Sequence, residues 1–292
     1  MQKILITGAT GNVGREVIDQ LNLQSGDYEI IPAFRNGAKA EKKFDERQIK
    51  HRLLNFEEPS TYEKAFTGVD MVFLLRPPHI TDIENIFEPM ILKMKKAGVK
   101  DIIFLSVQGA EKIKFIPHFK IERIIKESGL NYVFLRPGYF MQNLTTTLIE
   151  DILAKKKIIL PAGNSKFNWI DIRNIAEITK VIIFNFNKYK NKAYEITGCE
   201  KLNFYQAAET LTEVTGINIR YQNVNPLRFY FIKKREGEKI GKIFVMIALH
   251  FLPRFQNELE ITDFYEEITG KKPTKLSEFV KRESRYLKNR KY

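Results

Sequence analysis

Residues 3–22, KILITGATGNVGREVIDQLN, constrain the fold more than any other stretch of the chain. An apolar run at 3–7 meets Gly8, Gly11 and Gly14, and a helical pattern starts at residue 12 with no linker between. A chain turns that sharply from strand to helix only where the corner lacks side chains. Glycine tolerates a left-handed turn and lets one stretch of backbone lie against another. A strand that runs directly into a helix is the opening half of a crossover unit, from which parallel sheets are built.

The rest of the first half repeats that unit. Apolar, β-branched runs fall at 28–34, 49–54, 70–75, 101–106 and 131–136, and helical spacing fills 38–47, 59–66, 82–97 and 118–128 after the first helix at 12–22. The strands show no polar alternation, as expected when both faces are covered. The pattern predicts an α/β fold with a doubly wound parallel sheet and a ligand crevice at the carboxyl ends of its strands. After Pro137 the alternation loosens. Short strands are expected at 158–160, 193–197 and 218–223, and helices at 174–185, 203–214, 240–251 and 255–268, with TGKKP at 269–273 as a stop. Residues 1–150 are thus expected to form the sheet domain. Residues 151–292 are expected to form a smaller, mostly helical lobe that closes the crevice and is interleaved with the first, a single structural unit being the alternative.

Composition narrows the function classes. The chain of 292 residues is 43% hydrophobic and 28% charged, ordinary values for a globular protein. No apolar run reaches the ~20 residues of a membrane span, and no signal-peptide pattern is visible at the start. Cys199 is the single cysteine, which excludes an intrachain disulfide and fits a reducing cytoplasm. The net charge of +13 admits anionic partners, and residues 220–292 hold 17 Lys and Arg against 9 Asp and Glu. No arginine-rich run, aromatic RNA-binding signature or zinc-finger spacing accompanies that charge, so nucleic acid is not the expected partner. His51, His79, His118 and His250 make no metal-ligand spacing, and no metal is expected. There is no Gly-x-Ser-x-Gly elbow and no P-loop.

The glycine corner itself suits a dinucleotide pyrophosphate. Gly8 takes the turn, Gly11 admits the phosphate to the backbone, and Gly14 lets the helix sit close to the sheet. The loop also contains Thr10, and the amides of Asn12 and Val13 point outward from a helix N-terminus. A ligand-free corner is the alternative. The second strand has no acid at its carboxyl end, since Asp27 precedes it. It ends instead in Arg35, with Lys39 just beyond, which favours NADP(H) over NAD(H). The alternative for Arg35 is a solvated loop charge. Asn55 and Phe56, at the end of the third strand, would border the adenine.

With TGATGNVG at 7–14, AFRN at 33–36, SGLNYVFLRPGYFMQNL at 128–144, YEITG at 194–198 and TGKKPTKLSEFVKR at 269–282, nearly the whole chain resembles the NmrA-like branch of the atypical short-chain dehydrogenase/reductase superfamily. The resemblance implies a Rossmann sheet and one of two activities. One is reduction of a quinone or related conjugated carbonyl compound by NADPH. The other is a regulator that senses NAD(P) without turning it over. It also places Leu75 and Arg76 along the cofactor's ribose and diphosphate, and Ser106 near the nicotinamide, the alternatives being a solvent-facing Arg76 and a Ser106 engaged in local turn hydrogen bonding.

Many members of the superfamily use a Tyr-x-x-x-Lys pair on the helix after the fifth strand. Here the corresponding positions hold Lys114 and His118, and the tyrosine is missing. Quinone reduction depends less on that pair, because the protein mainly positions donor and acceptor. Phe115, Phe119, Tyr139, Phe140, Met141 and Trp169 are candidate pocket walls, with core packing as the alternative for each. His118 and Tyr139 are the candidate catalytic groups. His118 would hold the ribose or protonate product from a pKa near neutrality, a plain surface histidine being its alternative. Asp171 and Arg173 read as a structural ion pair rather than as catalytic groups. The basic, apolar stretch at 227–253 has two readings. It packs its apolar face into the lobe, or it touches anionic lipid to collect a lipid-soluble quinone. Oligomeric state is not legible.

Overall fold

The computed structural model describes residues 1–22, 28–35 and 50–288. The chain divides into two compact units, Met1–Pro137 with Ile172–Ile196, and Gly138–Asp171 with Thr197–Tyr292. The boundary therefore falls at Pro137 rather than near residue 150. The segment from Ile172 to Ile196, expected in the lobe, belongs to the first unit.

The strands of the described residues are, in chain order, β1 (Gln2–Ile6), β2 (Tyr28–Phe34), β3 (Arg52–Leu53), β4 (Met71–Leu75), β5 (Asp101–Leu105), β6 (Asn131–Pro137), β7 (Tyr139–Phe140), β8 (Lys157–Leu160), β9 (Phe167–Ile170), β10 (Lys192–Ile196), β11 (Glu200–Leu202) and β12 (Arg220–Asn223). Seven form the sheet of the first unit in the order β10-β6-β5-β4-β1-β2-β3, every pair parallel. The order reverses between β1 and β4, the position where doubly wound sheets open a crevice.

The strand interiors are apolar because both faces are covered. Leu5, Val72, Leu74, Ile102, Phe104 and Phe134 face a core filled by Phe87, Met90 and Met94 of helix Ile83–Lys96 and Ile121 and Ile125 of helix Pro117–Ser128. The pleat sends Ile4, Ile6, Phe73, Ile103 and Val133 to the opposite side, all fully buried. Helix Asn12–Asn22 packs against helix Ile172–Phe184, and the two bury Val17, Leu21, Ile175 and Ile182. The third strand is shorter than expected, and the helix expected at 38–47 lies outside the described residues. AYEIT joins the large sheet as β10, parallel to β6.

The second unit holds a three-stranded sheet, β11-β9-β7, and the parallel pair β12-β8. Its core gathers Trp169, Phe204, Leu211, Phe229 and Phe279. The helix expected over 255–268 is confined to Phe264–Thr269. The segment before it bonds to side chains instead. Asn168 Nδ2 donates to the carbonyls of Leu259 and Glu260 at 3.0 and 2.9 Å, and the Thr262 amide donates to Thr197 Oγ1 at 2.9 Å. Those bonds replace the ones a helix would have made.

Helix Pro226–Arg235 is fixed to this core by charge. Lys233 is buried and donates to Asp151 Oδ2 at 2.6 Å and Glu236 Oε2 at 2.8 Å, while Lys155 holds Asp151 Oδ1 at 2.7 Å and also pairs with Glu236. Removing one member leaves a buried charge uncompensated. Asp151→Ala is expected to cost about 3–5 kcal/mol of unfolding free energy in urea titration. Asp151→Leu combined with Lys233→Met should recover most of that loss.

Candidate functional site

The corner at residues 7–14 is tied to both neighbouring strands. The Thr7 amide donates to the Phe73 carbonyl at 3.0 Å, and Thr7 Oγ1 accepts from the Leu75 amide at 2.7 Å. On the other side the Ala9 amide donates to the Ala33 carbonyl at 3.2 Å. Gly8 has φ +61°, and the Gly11 amide closes the turn onto the Gly8 carbonyl at 2.9 Å. A Cβ at position 14 would lie 2.3 Å from the Gly8 carbonyl oxygen, so the helix starts hard against the turn. Asn12, Val13 and Gly14 form its first turn, whose amides have no carbonyl within the helix to bond. No acidic side chain occupies that turn, and the helix dipole adds positive potential there. Thr10, Gly11 and Asn12 are exposed. The result is an exposed helix N-terminus at a glycine turn, of the kind that accepts an anion.

The ends of the next strands supply a rim. Arg35 follows β2 and is exposed, with Nη1 3.3 Å from His79 Nε2 and 3.9 Å from Glu57 Oε2. His79 Nε2 is itself 3.4 Å from Glu57 Oε2. Neither Glu57 nor His79 stands out in the sequence as a site residue, because only the adjacency of these strand ends brings them to Arg35. Lys39 lies outside the described residues. Asn55 is half-buried and Phe56 is buried. The Asn55 amide side chain braces its own turn, accepting from the Glu57 amide at 3.2 Å and donating to Glu58 Oε2 at 3.4 Å. The Phe56 ring is buried edge-on to Phe87 at 5.7 Å.

At the end of β4, Leu75 packs beneath the corner, its Cδ1 3.0 Å from where a Cβ on Gly8 would sit. Arg76 folds back on its own loop. Its Nη1 donates to the carbonyl of Ile80 at 2.7 Å and to those of Pro77 and Pro78 at 3.3 and 3.4 Å. Its Nε is buried without a protein partner, and burial lowers the guanidinium pKa. Ser106 is buried too, donating to Glu122 Oε1 at 2.6 Å. Glu122 is gripped by Arg136 through Nε at 2.9 Å and Nη2 at 2.7 Å, and Arg136 also meets Glu111. Burial works against the Arg136 charge, but its bonds to Glu122 and the field of the nearby carboxylates outweigh that and raise its pKa. The Ser106 hydroxyl is thus one end of a buried polar chain joining β5 to β6.

The two candidate acid–base groups sit in different settings. His118 lies on helix Pro117–Ser128 with its ring stacked on Phe104 at 6.0 Å. Burial, reinforced by the Arg76 charge, pushes its pKa down to about 3. The ring is therefore neutral, not imidazolium, at neutral pH and offers one N–H donor. Lys114 and Phe115 stand exposed before the helix. Tyr139 belongs to the core of the second unit, where Phe167, Trp169 and Phe204 ring it at 5.2, 4.9 and 5.6 Å. Its hydroxyl is 3.0 Å from His250 Nε2, and His250 Nδ1 is 2.6 Å from the Met246 carbonyl. A carbonyl only accepts, so Nδ1 carries the imidazole proton, Nε2 is the free lone pair, and Tyr139 donates to it. Burial raises the Tyr139 pKa, so the phenol stays protonated and bonded within the core.

The remaining candidates divide in the same way. Met141 and Trp169 are fully buried, with Trp169 Nε1 donating to the Leu202 carbonyl at 2.9 Å. Phe119 and Phe140 are half-buried. Asp171 accepts from Gln142 at 2.6 Å and from Arg282 at 2.6 Å, and Arg173 lies 3.8 Å from Glu16. Asp171 thus pairs with Arg282, and Arg173 with Glu16. Among the described residues no cluster of His, Cys, Asp and Glu could hold a metal.

Comparison with known proteins bears on the whole chain. The model of the NmrA-like family matches residues 1–280. Prestalk A differentiation protein A of Dictyostelium discoideum is 30% identical over 278 residues, covering 95% of this chain and 91% of its own. The NAD(P)H azoreductase of Xenophilus azovorans is 28% identical over 282 residues, covering 95% of this chain and 96% of its own. Among solved structures, an NADPH-dependent quinone oxidoreductase of Escherichia coli, complexed with NADPH, matches with a TM-score of 0.84 at 24% identity, covering 96% of this chain and 99% of that one.

Gly14→Ala is expected to destabilise the chain by about 1–3 kcal/mol in chemical denaturation, since the added methyl must displace backbone. His250 gives a pH signature. The unfolded ring titrates near 6.5, and burial holds the folded one down to about 4. Its contribution is complete above the unfolded value and is lost as pH falls through that window, up to about 3 kcal/mol. Denaturation of His250→Gln across pH 4 to 7 should show a shallower slope than the parent, with His118 common to both chains.

Proposed function

The chain belongs to the NmrA-like family, and from that membership together with the glycine corner we propose that it is an NAD(P)H-dependent oxidoreductase. The observation that carries this reading is the contact between position 14 and the Gly8 carbonyl. It starts the helix directly at the glycine turn, so that the unbonded amides of the first helical turn emerge there and fit a pyrophosphate. When bound, NAD(P)H supplies a hydride. Arg35 meets the adenosine ribose and selects a 2′-phosphate. Its exposed contact with Glu57 is of a kind worth about 0–1 kcal/mol. A charge-assisted bond to phosphate is worth about 1.5–3 kcal/mol, so phosphate displaces the carboxylate. NADP(H) is therefore the proposed cofactor.

The substrate class follows from what the site does not contain. The Tyr-x-x-x-Lys pair is missing, His118 is neutral, and Tyr139 is sealed in a core. With none of these candidates suited to deliver a proton in step with hydride, the acceptor is one that takes hydride readily and collects its proton from water. A quinone or related conjugated carbonyl compound meets that requirement. The azoreductase and the quinone oxidoreductase among the similar proteins support the reading.

The same missing groups favour a second reading, a non-catalytic NAD(P) sensor. The two separate in one pair of measurements. NADPH should bind, and Arg35→Ala should weaken it about 10–100-fold while leaving NADH unchanged in calorimetry. Absorbance at 340 nm should then fall when quinones are added. Tight NADPH binding with no loss of absorbance across a broad quinone panel would reject the reductase in favour of the sensor.

A further inference from the structure

Helix Ile240–Phe251 buries Ile243, Met246 and His250 on one side. Its opposite side carries Ile240, Phe244, Val245 and Leu249, which are 51, 58, 47 and 47% exposed. Lys242 is the single exposed charge on that helix. The solvent face of a helix ordinarily carries charge, and a helix apolar all round is ordinarily covered all round. The preceding helix, Pro226–Arg235, packs on it, with Tyr230 and Phe244 rings 5.9 Å apart. It adds Leu227 and Phe231, 67 and 50% exposed, and the turn beyond adds Phe255 at 73%. A patch of this kind marks an interaction surface.

The cations around it identify what it meets. Residues 226–255 contain seven Lys and Arg and two Glu. Lys233 is buried with Asp151, and Lys242 pairs with Glu238 at 2.6 Å. Arg228, Lys234, Arg235, Lys239 and Arg254 are exposed and have no acidic partner among the described residues. Two of them lie along the aromatic rings, Lys234 over Tyr230 at 5.6 Å and Arg254 over Phe251 at 5.2 Å. Long basic side chains lying on apolar surface with their charges outward suit a boundary between oil and phosphate. A second copy docked through the same patch would set these cations against their own like.

We propose that residues 226–255 form a peripheral docking surface for an anionic lipid bilayer. The apolar side chains enter the headgroup boundary while the cations meet lipid phosphates. The contact is interfacial, since no helix among the described residues is long and apolar enough to cross a membrane. It is independent of the reductase reading, because it needs no cofactor and no turnover.

Flotation on vesicles of phosphatidylcholine, with and without phosphatidylglycerol, tests it. The protein should float with the mixed vesicles at low salt and progressively less as salt rises. Phe244→Glu with Leu249→Glu should abolish flotation. Replacing Lys234, Arg235 and Lys239 by Gln should weaken it about fivefold per cation removed. All five side chains are exposed, so melting by circular dichroism should be unchanged. Absence of flotation at low salt, or equal flotation on neutral and anionic vesicles, overturns the proposal. So does a dimer in sedimentation velocity that Phe244→Glu dissolves, since a second copy would then be what covers the patch.

Discussion

The first turn of helix Asn12–Asn22 lies against the Gly8 carbonyl so closely that no side chain fits between them. Everything at the open end of the large sheet is arranged around that contact. It sets where the helix begins, and so where its unbonded amides emerge. Thr7 and Ala9 then fix the turn to β4 and β2, the strands whose ends carry Arg76 and Arg35. Strand order does the rest, because β1 lies where the sheet reverses direction. A backbone surface made this way has no rotamers to order when an anion arrives, and little entropy is lost on binding.

Around that surface the ionisable groups are mostly occupied with one another. Arg136, Glu122 and Ser106 join β5 to β6. Arg76 stitches the loop after β4. Of the charges at the rim, Arg35 has the loosest attachments, held by one long contact to Glu57 and one to His79. Preorganisation at the pyrophosphate and looseness at the ribose are complementary, since the second can adjust to the ligand the first has seated.

The glycine corner was legible because its signal is local: missing side chains at fixed spacing between a strand and a helix. The parallel sheet was legible from strands with no polar face. Other features depend on contacts that spacing does not encode. AYEIT reads equally well as a lobe strand or a sheet strand, and only its pairing with β6 decides. Tyr139 meets a histidine 111 residues away, so nothing near it in sequence reveals that its hydroxyl is already satisfied. Glu57 and His79 reach Arg35 through the ends of neighbouring strands. Helix Ile240–Phe251 was recognisable from its composition, but a chain of apolar residues does not say which of them face water.

The return of residues 172–196 to the large sheet has a bearing on biosynthesis. On the ribosome the six strands through Pro137 emerge first, yet the edge of β6 stays bare until residue 196 has left the exit tunnel. By then β7, β8 and β9 of the other unit are already outside. A nascent chain therefore carries an unpaired parallel edge while residues 138–196 are made, a window in which chaperone cover or slowed translation would matter most.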